Sequence, residues 1–282
     1  MRRILYFIAT NAAIMIVVSI IMMFLPAEYQ TNDIRFLIMA LLFGFGGSIV
    51  SLLMSKSMAK RGAGVQIIDT PRNETEQWLL TTVARQAKKA GIGMPEVGIF
   101  DTPDMNAFAT GANKNNALVA VSTGLLRNMT RDEAEAVMGH EIAHVANGDM
   151  ITLTLIQGVV NVFVMILARA LAMAIDRDGR GIGYFVGYMA GQMVFGFLAS
   201  MIVAFFSRHR EFRADEGGAE FASTQSMIAA LERLKQGQAG ELPDQLAAFG
   251  INSGVKKLFS THPPLDDRIA ALKARQSSAA AA

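Results

Sequence analysis

Four long apolar runs, Ile4–Leu25, Phe36–Met54, Ile151–Ile175 and Tyr184–Phe206, restrict this chain more than any other feature. Each approaches the ~20 residues a helix needs to cross a hydrocarbon core. A bilayer interior offers the backbone no water, so a single spanning segment must pair its own N–H and C=O groups, which only a helix does. The composition agrees: 52% of residues are hydrophobic and 18% charged, against about 25% charged in an average soluble domain. The expected fold is a mainly α membrane protein with four transmembrane helices and a polar portion outside the bilayer.

The flanking charges orient these helices. Arg2, Arg3, Lys56, Lys60, Arg61, Arg208, Arg210 and Arg213 fall on one side, whereas the opposite loops "PAEYQTNDIR" and "DRDGRGI" are short and mixed in charge. By the positive-inside rule both termini and the 57–150 region are cytoplasmic. The first run is longer than a 7–15-residue signal core and is followed at once by a second, so it reads as a retained anchor. The third carries Gln157, Asn161 and Arg169, which leaves a core helix or a partly inserted helix open as alternatives. Gln157 and Asn161 suit interhelical hydrogen bonds, with a substrate path as the alternative, and Gly183, Gly187 and Gly191 form a small-residue face for close packing within the chain, with homodimerisation as the alternative. The resulting division is 1–56 (first two spans), 57–150 (polar), 151–206 (last two spans) and 207–282 (polar).

Between the second and third spans the period changes. "TPRNETEQWLLTTVARQAKKAGIG" predicts an amphipathic helix ending near Gly91, with Trp78, Leu79, Val83 and Ala87 inward. Short strands follow at Glu96–Phe100, Asn106–Thr110 and Ala117–Ser122, the last two joined by the turn-like "GANKNN". Thr130-Arg131-Asp132-Glu133 then has the pattern of a capping box, which starts a helix.

That helix carries His140-Glu141-Ile142-Ala143-His144. Residues four apart share a helix face, so His140 and His144 can aim both imidazoles at one ion. Neutral imidazole suits tetrahedral zinc, and Glu141 is offset enough to reach a water acidified by the metal and act as general base on a carbonyl. The chain has no Cys and only four His, so a third ligand comes from the few remaining His or from a carboxylate. The sequence lacks the Gly and His that an extended H-E-x-x-H-x-x-G-x-x-H motif needs at Asn147 and Met150. In "SRHREFRADEGGAEF" Glu211 and Asp215 share a face, so Glu211 as ligand leaves Asp215 placed to hold a ligand histidine by its other ring N–H. Glu216, Glu220 and His209 are the alternatives. A net charge of +2 and the lack of any nucleic-acid module give no reason to expect a nucleic-acid partner.

The motifs "HEIAHVANGDM", "SRHREFRAD" and "THPPLDDRI" together resemble the HtpX membrane metalloproteases, relatives of the CAAX prenyl proteases. The resemblance covers nearly the whole chain. It implies a zincin-like (gluzincin) α+β protease domain with a small sheet, and a multi-pass protein of the bacterial inner membrane. The implied activity is a zinc endopeptidase, one ion per subunit, working in stress-linked quality control of misfolded or damaged proteins, many of them membrane proteins. It also implies His140, His144 and Glu211 as ligands and Glu141 as catalytic base. "NAFATG" becomes an edge strand that pairs with substrate through Asn106, Ala107, Phe108 and Ala109. His262 and Arg268 lie near the active site and steady the oxyanion or substrate carbonyl. From the residues alone, Asn106–Ala109 reads equally as an ordinary strand, and Pro263-Pro264 as the opening of a helix with Arg268 in a salt bridge. Competing readings are a prenyl-protein processing protease and a non-catalytic zinc-dependent scaffold. A transporter is disfavoured by spans almost empty of ionisable residues. The oligomeric state is open. Ser226–Lys235 reads as helix, Gln236–Lys257 as loop with one short helix, and "SSAAAA" as disordered.

Overall fold

A computed structural model describes residues 34–177, 181–238 and 262–280. The first expected span, Ile4–Leu25, lies outside the described residues, as does most of Gln236–Lys257. The elements are α1 (Ile34–Gly62), β1 (Gln66–Ile67), α2 (Glu74–Ala90), β2 (Glu96–Phe100), β3 (Ala107–Thr110), β4 (Leu118–Ser122), α3 (Thr123–Asn128), α4 (Arg131–Asn147), α5 (Asp149–Ile175), α6 (Ile182–Phe221), α7 (Thr224–Gln238) and α8 (Leu265–Ala280). The chain divides into two compact units, residues 1–50 with 154–203, and residues 51–153 with 204–282.

In the first unit, the apolar parts of α1, α5 and α6 belong to three helices long and apolar enough to cross a membrane among the described residues. Helix α5 is unbroken from Asp149 to Ile175. Of the polar residues of its interior, Asn161 and Arg169 reach α1, while the Gln157 bond stays within α5. Gln157 donates to Asn161 at 2.8 Å, Asn161 reaches the Gly44 carbonyl and Ser48 Oγ at 3.4 Å, and the Arg169 guanidinium lies 4.1 Å from the Phe36 ring centre. The glycine face of α6 packs within the chain. A Cβ at Gly191 would stand 2.6 Å from Ala168 Cα, and one at Gly187 3.0 Å from Ala172 Cα.

The second unit holds a four-stranded mixed sheet in the order β1-β2-β4-β3. β2 and β4 are parallel, in the register Glu96↔Leu118 to Phe100↔Ser122, and β3 runs antiparallel to β4. β4 is buried along its whole length, as befits a Val/Ala run in the centre of a sheet. Helix α2 is capped by Asn73, whose side chain accepts from the Glu76 N–H, and closed by Gly91 at φ 65°. The capping box that starts α4 is present in both directions: Glu133 N–H to Thr130 Oγ1 at 3.3 Å, and Thr130 N–H to Glu133 Oε2 at 2.8 Å.

Helix α4 is buried on two sides. Met138, Ile142 and Val145 join Leu79, Val83, Val97, Val119 and Val121 in one core between α2, α4 and the sheet. Ala134, Ala136 and Val137 join Met227, Leu231, Ile269 and Leu272 in a second, against α7 and α8. Against α6 the approach is closer, because the facing residues are glycines. A Cβ on Gly218 would meet the Ala136 carbonyl oxygen at 2.9 Å and the His140 nitrogen at 3.1 Å, and one on Gly217 the Ala143 Cβ at 2.4 Å. Gly in a helix interior costs about 0.5–1 kcal/mol relative to Ala; here it lets two backbones meet.

Three features differ from the sequence expectations. The two-residue strand β1 and the short helix α3 carry too few residues for a periodic signal. The tail does not read as disorder throughout: α8 extends through Ser277–Ala280, because alanine is the best helix former and the helix is already nucleated at Leu265.

Candidate metal centre

The HEIAH turn lies in the second half of α4, where both histidines are buried. His140 Nε2 and His144 Nε2 are 3.1 Å apart. Glu211, brought by α6, places Oε1 3.3 Å from His144 Nε2 and Oε2 3.6 Å from His140 Nε2. Of the candidates in that run, only Glu211 joins the pair. Among the described residues these three form the group whose ligand atoms all lie within 4.8 Å of one another. Glu216 pairs with Arg275 at 2.6 Å, the ring of exposed His209 lies on Phe205, and exposed Glu220 uses its carbonyl to accept from Lys89.

The outward ring nitrogens are engaged as well. His140 Nδ1 lies 2.9 Å from Asp215 Oδ1, and His144 Nδ1 2.7 Å from Asp149 Oδ2. A carboxylate only accepts, so each Nδ1 carries the hydrogen and each Nε2 faces the other ligands. The three inward distances, 3.1 Å between the two imidazoles and 3.3 and 3.6 Å from them to the two oxygens of Glu211, are close to the about 3.3–3.6 Å that separates ligands of a tetrahedral zinc with bonds of about 2.0–2.2 Å. The donors present therefore fit zinc.

The electrostatics favour positive charge at this point. Burial alone would lower the pKa of His144, but its bonds to Asp149 and Glu211, with Glu141 nearby, raise it to about 10. Glu211, beyond the apolar stretch of α6, is held well below the usual carboxylate range: burial opposes this, but His144 and His262 prevail. Asp215 is lowered against its burial by Arg268 and His140, and Arg268 is raised against its own burial by Asp215. Arg268 grips Asp215 with two bonds, Nε to Oδ2 at 2.7 Å and Nη2 to Oδ1 at 2.5 Å, and sets Nη1 3.3 Å from Glu211 Oε2. His262, largely exposed, holds Nδ1 2.8 Å from the same Glu211 oxygen.

Glu141 borders a cleft of about 640 Å³ together with His140, Glu211, His262 and Arg268; Leu125, Val137, Met227 and Leu231 line its apolar part. Its Oε2 accepts from the Ala109 N–H at 2.8 Å. That bond fixes the facing of the edge strand. Asn106 turns its main chain to β4, with its C=O accepting from Ser122 N–H at 2.9 Å. By the two-residue period the main chain of Phe108 also faces β4, while the main-chain groups of Ala107 and Ala109 point off the opposite edge. Asn106 and Ala107 line that cleft.

Two contributors escape sequence reasoning. Asp149 follows a helix break at Gly148, φ 67°, so no helical spacing ties it to His144. The glycines Gly139, Gly217 and Gly218 are costly inside helical runs, which points to a packing reason, but Gly46 and Gly196 lie in helices too and meet nothing within 4 Å, so the sequence does not single the three out.

A helix-borne HExxH pair completed by a carboxylate from a second helix, with a cleft beside it and apolar helices in the same chain, defines a membrane metallopeptidase of zincin type. Residues 73–276 match the sequence model of peptidase family M48, and the chain belongs to that family. It is 60% identical over 283 residues to Protease HtpX of Stenotrophomonas maltophilia strain R551-3, covering 96% of this chain and 98% of that protein. It is 58% identical over 291 residues to a Protease HtpX homolog of Thiobacillus denitrificans, covering 98% and 100%. The crystal structure of S. mikatae Ste24p shares the fold at TM-score 0.64 and 18% identity, covering 94% of this chain and 64% of that one. The protein is a membrane metalloprotease whose cofactor is zinc.

Proposed function

We propose that this protein hydrolyses peptide bonds of misfolded or damaged proteins, membrane proteins foremost, at a cytoplasmic zinc site of the bacterial inner membrane. The observation that carries the residue roles is the convergence of two imidazole nitrogens and one carboxylate with Glu141 alongside at the cleft. His140, His144 and Glu211 hold the metal, one ion per chain. Bound zinc supplies Lewis acidity that polarises a carbonyl and acidifies water. Glu141, steadied through Oε2 by Ala109, takes a proton from the attacking water and returns it to the leaving amine. Substrate backbone adds to the free edge through the N–H and C=O of Ala107 and the C=O of Ala109, whose N–H is given to Glu141, with Asn106 and Phe108 holding β3 against β4; main-chain pairing of this kind gives affinity with little sequence preference. His262, at the cleft beside Glu211, steadies the oxyanion. Arg268 acts through Asp215 and Glu211, and Asp215 through His140.

The four apolar runs support four spans, and the charge asymmetry of their loops supports cytoplasmic termini. The polar parts 57–150 and 207–282 then form the protease, and 1–56 and 151–206 the membrane portion. The test compares purified full-length parent and Glu141→Gln, each loaded with zinc, on casein and on a destabilised membrane protein in the same liposomes. The expected result is cleavage by the parent alone, faster on the membrane protein. Equal cleavage by both proteins removes Glu141 as base, and exclusive cleavage of casein removes the substrate preference.

A further inference from the structure

The carboxylate behind His140 is one that the spacing of Glu211 and Asp215 predicts. The carboxylate behind His144 is not, and it is built differently. Asp149 is 4% exposed, and it is the first residue of α5. Helix α4 ends at Asn147, and Gly148 in the left-handed region turns the chain so that Asp149 faces back toward the helix just left. Its Oδ2 lies 2.7 Å from His144 Nδ1. Its main chain makes a separate contact. The Asp149 carbonyl accepts from Arg210 Nη1 at 2.5 Å, and Arg210, 9% exposed, immediately precedes Glu211.

From this geometry we propose that Asp149 is a positioning residue for the metal, clamping ligand His144 by its side chain and the helix that carries ligand Glu211 by its main chain. The inference rests on the reading of His140, His144 and Glu211 as ligands. Without the side chain, His144 loses the partner that fixes which nitrogen bears hydrogen and how the ring is turned, although its backbone stays in α4. Partners of this kind are worth about 10–100-fold in metal affinity. The main-chain bond to Arg210 survives any side-chain replacement at Asp149, so the variants isolate the first arm of the clamp.

The experiment measures zinc affinity of the full-length protein in detergent by competition with a chromophoric chelator. The visible spectrum of the cobalt(II)-loaded protein reports ligand geometry. The variants are Asp149→Ser, which keeps a residue suited to a helix start but too short to reach the ring, Asp149→Asn, whose amide oxygen can still accept from Nδ1–H, and His144→Ala as control. Helicity is checked by circular dichroism before metal is added. Expected is a loss of about 10–100-fold in affinity for Asp149→Ser with an altered cobalt spectrum, and recovery of most of that loss in Asp149→Asn. An Asp149→Ser protein that binds zinc as the parent does overturns the proposal, as does an Asp149→Asn protein as impaired as the serine variant. If His144→Ala itself binds like the parent, the ligand assignment has failed rather than the role of Asp149.

Discussion

Replacing Gly218 with alanine adds one methyl group where α6 crosses α4. The new Cβ would stand 2.9 Å from the Ala136 carbonyl oxygen, 3.1 Å from the His140 nitrogen and 2.8 Å from Met227 Sδ. The methionine can move aside; the two main-chain atoms cannot. Overpacking of a close-fitted site costs about 1–3 kcal/mol, and main-chain obstruction puts this site in the upper half of that range. Alanine recovers about 1 kcal/mol of helix propensity. The net expectation is a loss of about 1–2 kcal/mol, a fall of about 2–8 °C in melting temperature. Because the obstructed atom is the nitrogen of His140 itself, zinc affinity falls in the same variant. Melting of the metal-free proteins by circular dichroism, followed by zinc titration, reads both effects. Gly46→Ala is the control, since it makes the same change inside a helix where a Cβ meets nothing within 4 Å; its melting temperature does not fall, and its zinc affinity is unchanged. A Gly218→Ala protein as stable as the parent or more so, with unchanged affinity, would refute the close-approach argument.

Arg268→Ala leaves the Asp215 carboxylate buried without its guanidinium, and stability falls by about 3–5 kcal/mol; a loss under about 1 kcal/mol in urea unfolding contradicts the buried pair. Lys60 and Lys56 hold Glu96 below its usual carboxylate pKa despite partial burial. Its folded value lies under the unfolded one, so the contribution is present above the unfolded value and fades as pH falls through the folded one. With Glu96 39% exposed, solvent screening limits it to about 0.2–1 kcal/mol. Glu96→Gln therefore lowers the melting temperature slightly at neutral pH and converges with the parent in acid; parallel curves across that range count against the pair. Chelation of zinc lowers the melting temperature, and readdition to about 1,000 times Kd restores about 4 kcal/mol. His140→Ala abolishes that response, and a variant that still responds binds zinc elsewhere.

How much of this is legible in the sequence depends on whether the signal is local. The α4 helix, its capping box and the shared face of His140 and His144 all follow from positions within one element, as does the shared face of Glu211 and Asp215. Strand β2 matches its expected range Glu96–Phe100, and β3 and β4 differ from theirs by one residue at the start. The parallel pairing of β2 with β4, across the intervening β3, is set by packing on α2 and α4 and leaves no local trace. Asp149 is hidden for a related reason: past a left-handed glycine the direction of the next side chain is decided by the turn. At Arg268 the residues alone leave a salt bridge beside the catalytic role, and the pairing with Asp215 is the salt bridge. "SSAAAA" is misjudged when its composition is weighed without the helix that precedes it.

Zinc K-edge X-ray absorption on the purified, zinc-loaded full-length protein tests the ligand set most directly. The expected result is one zinc per chain, bound by two imidazoles and by oxygen at about 2.0–2.2 Å, and a loss of zinc in Glu211→Ala. Three imidazoles in the spectrum, bringing His262 or His209 into the set, or full zinc retention in Glu211→Ala, would contradict it.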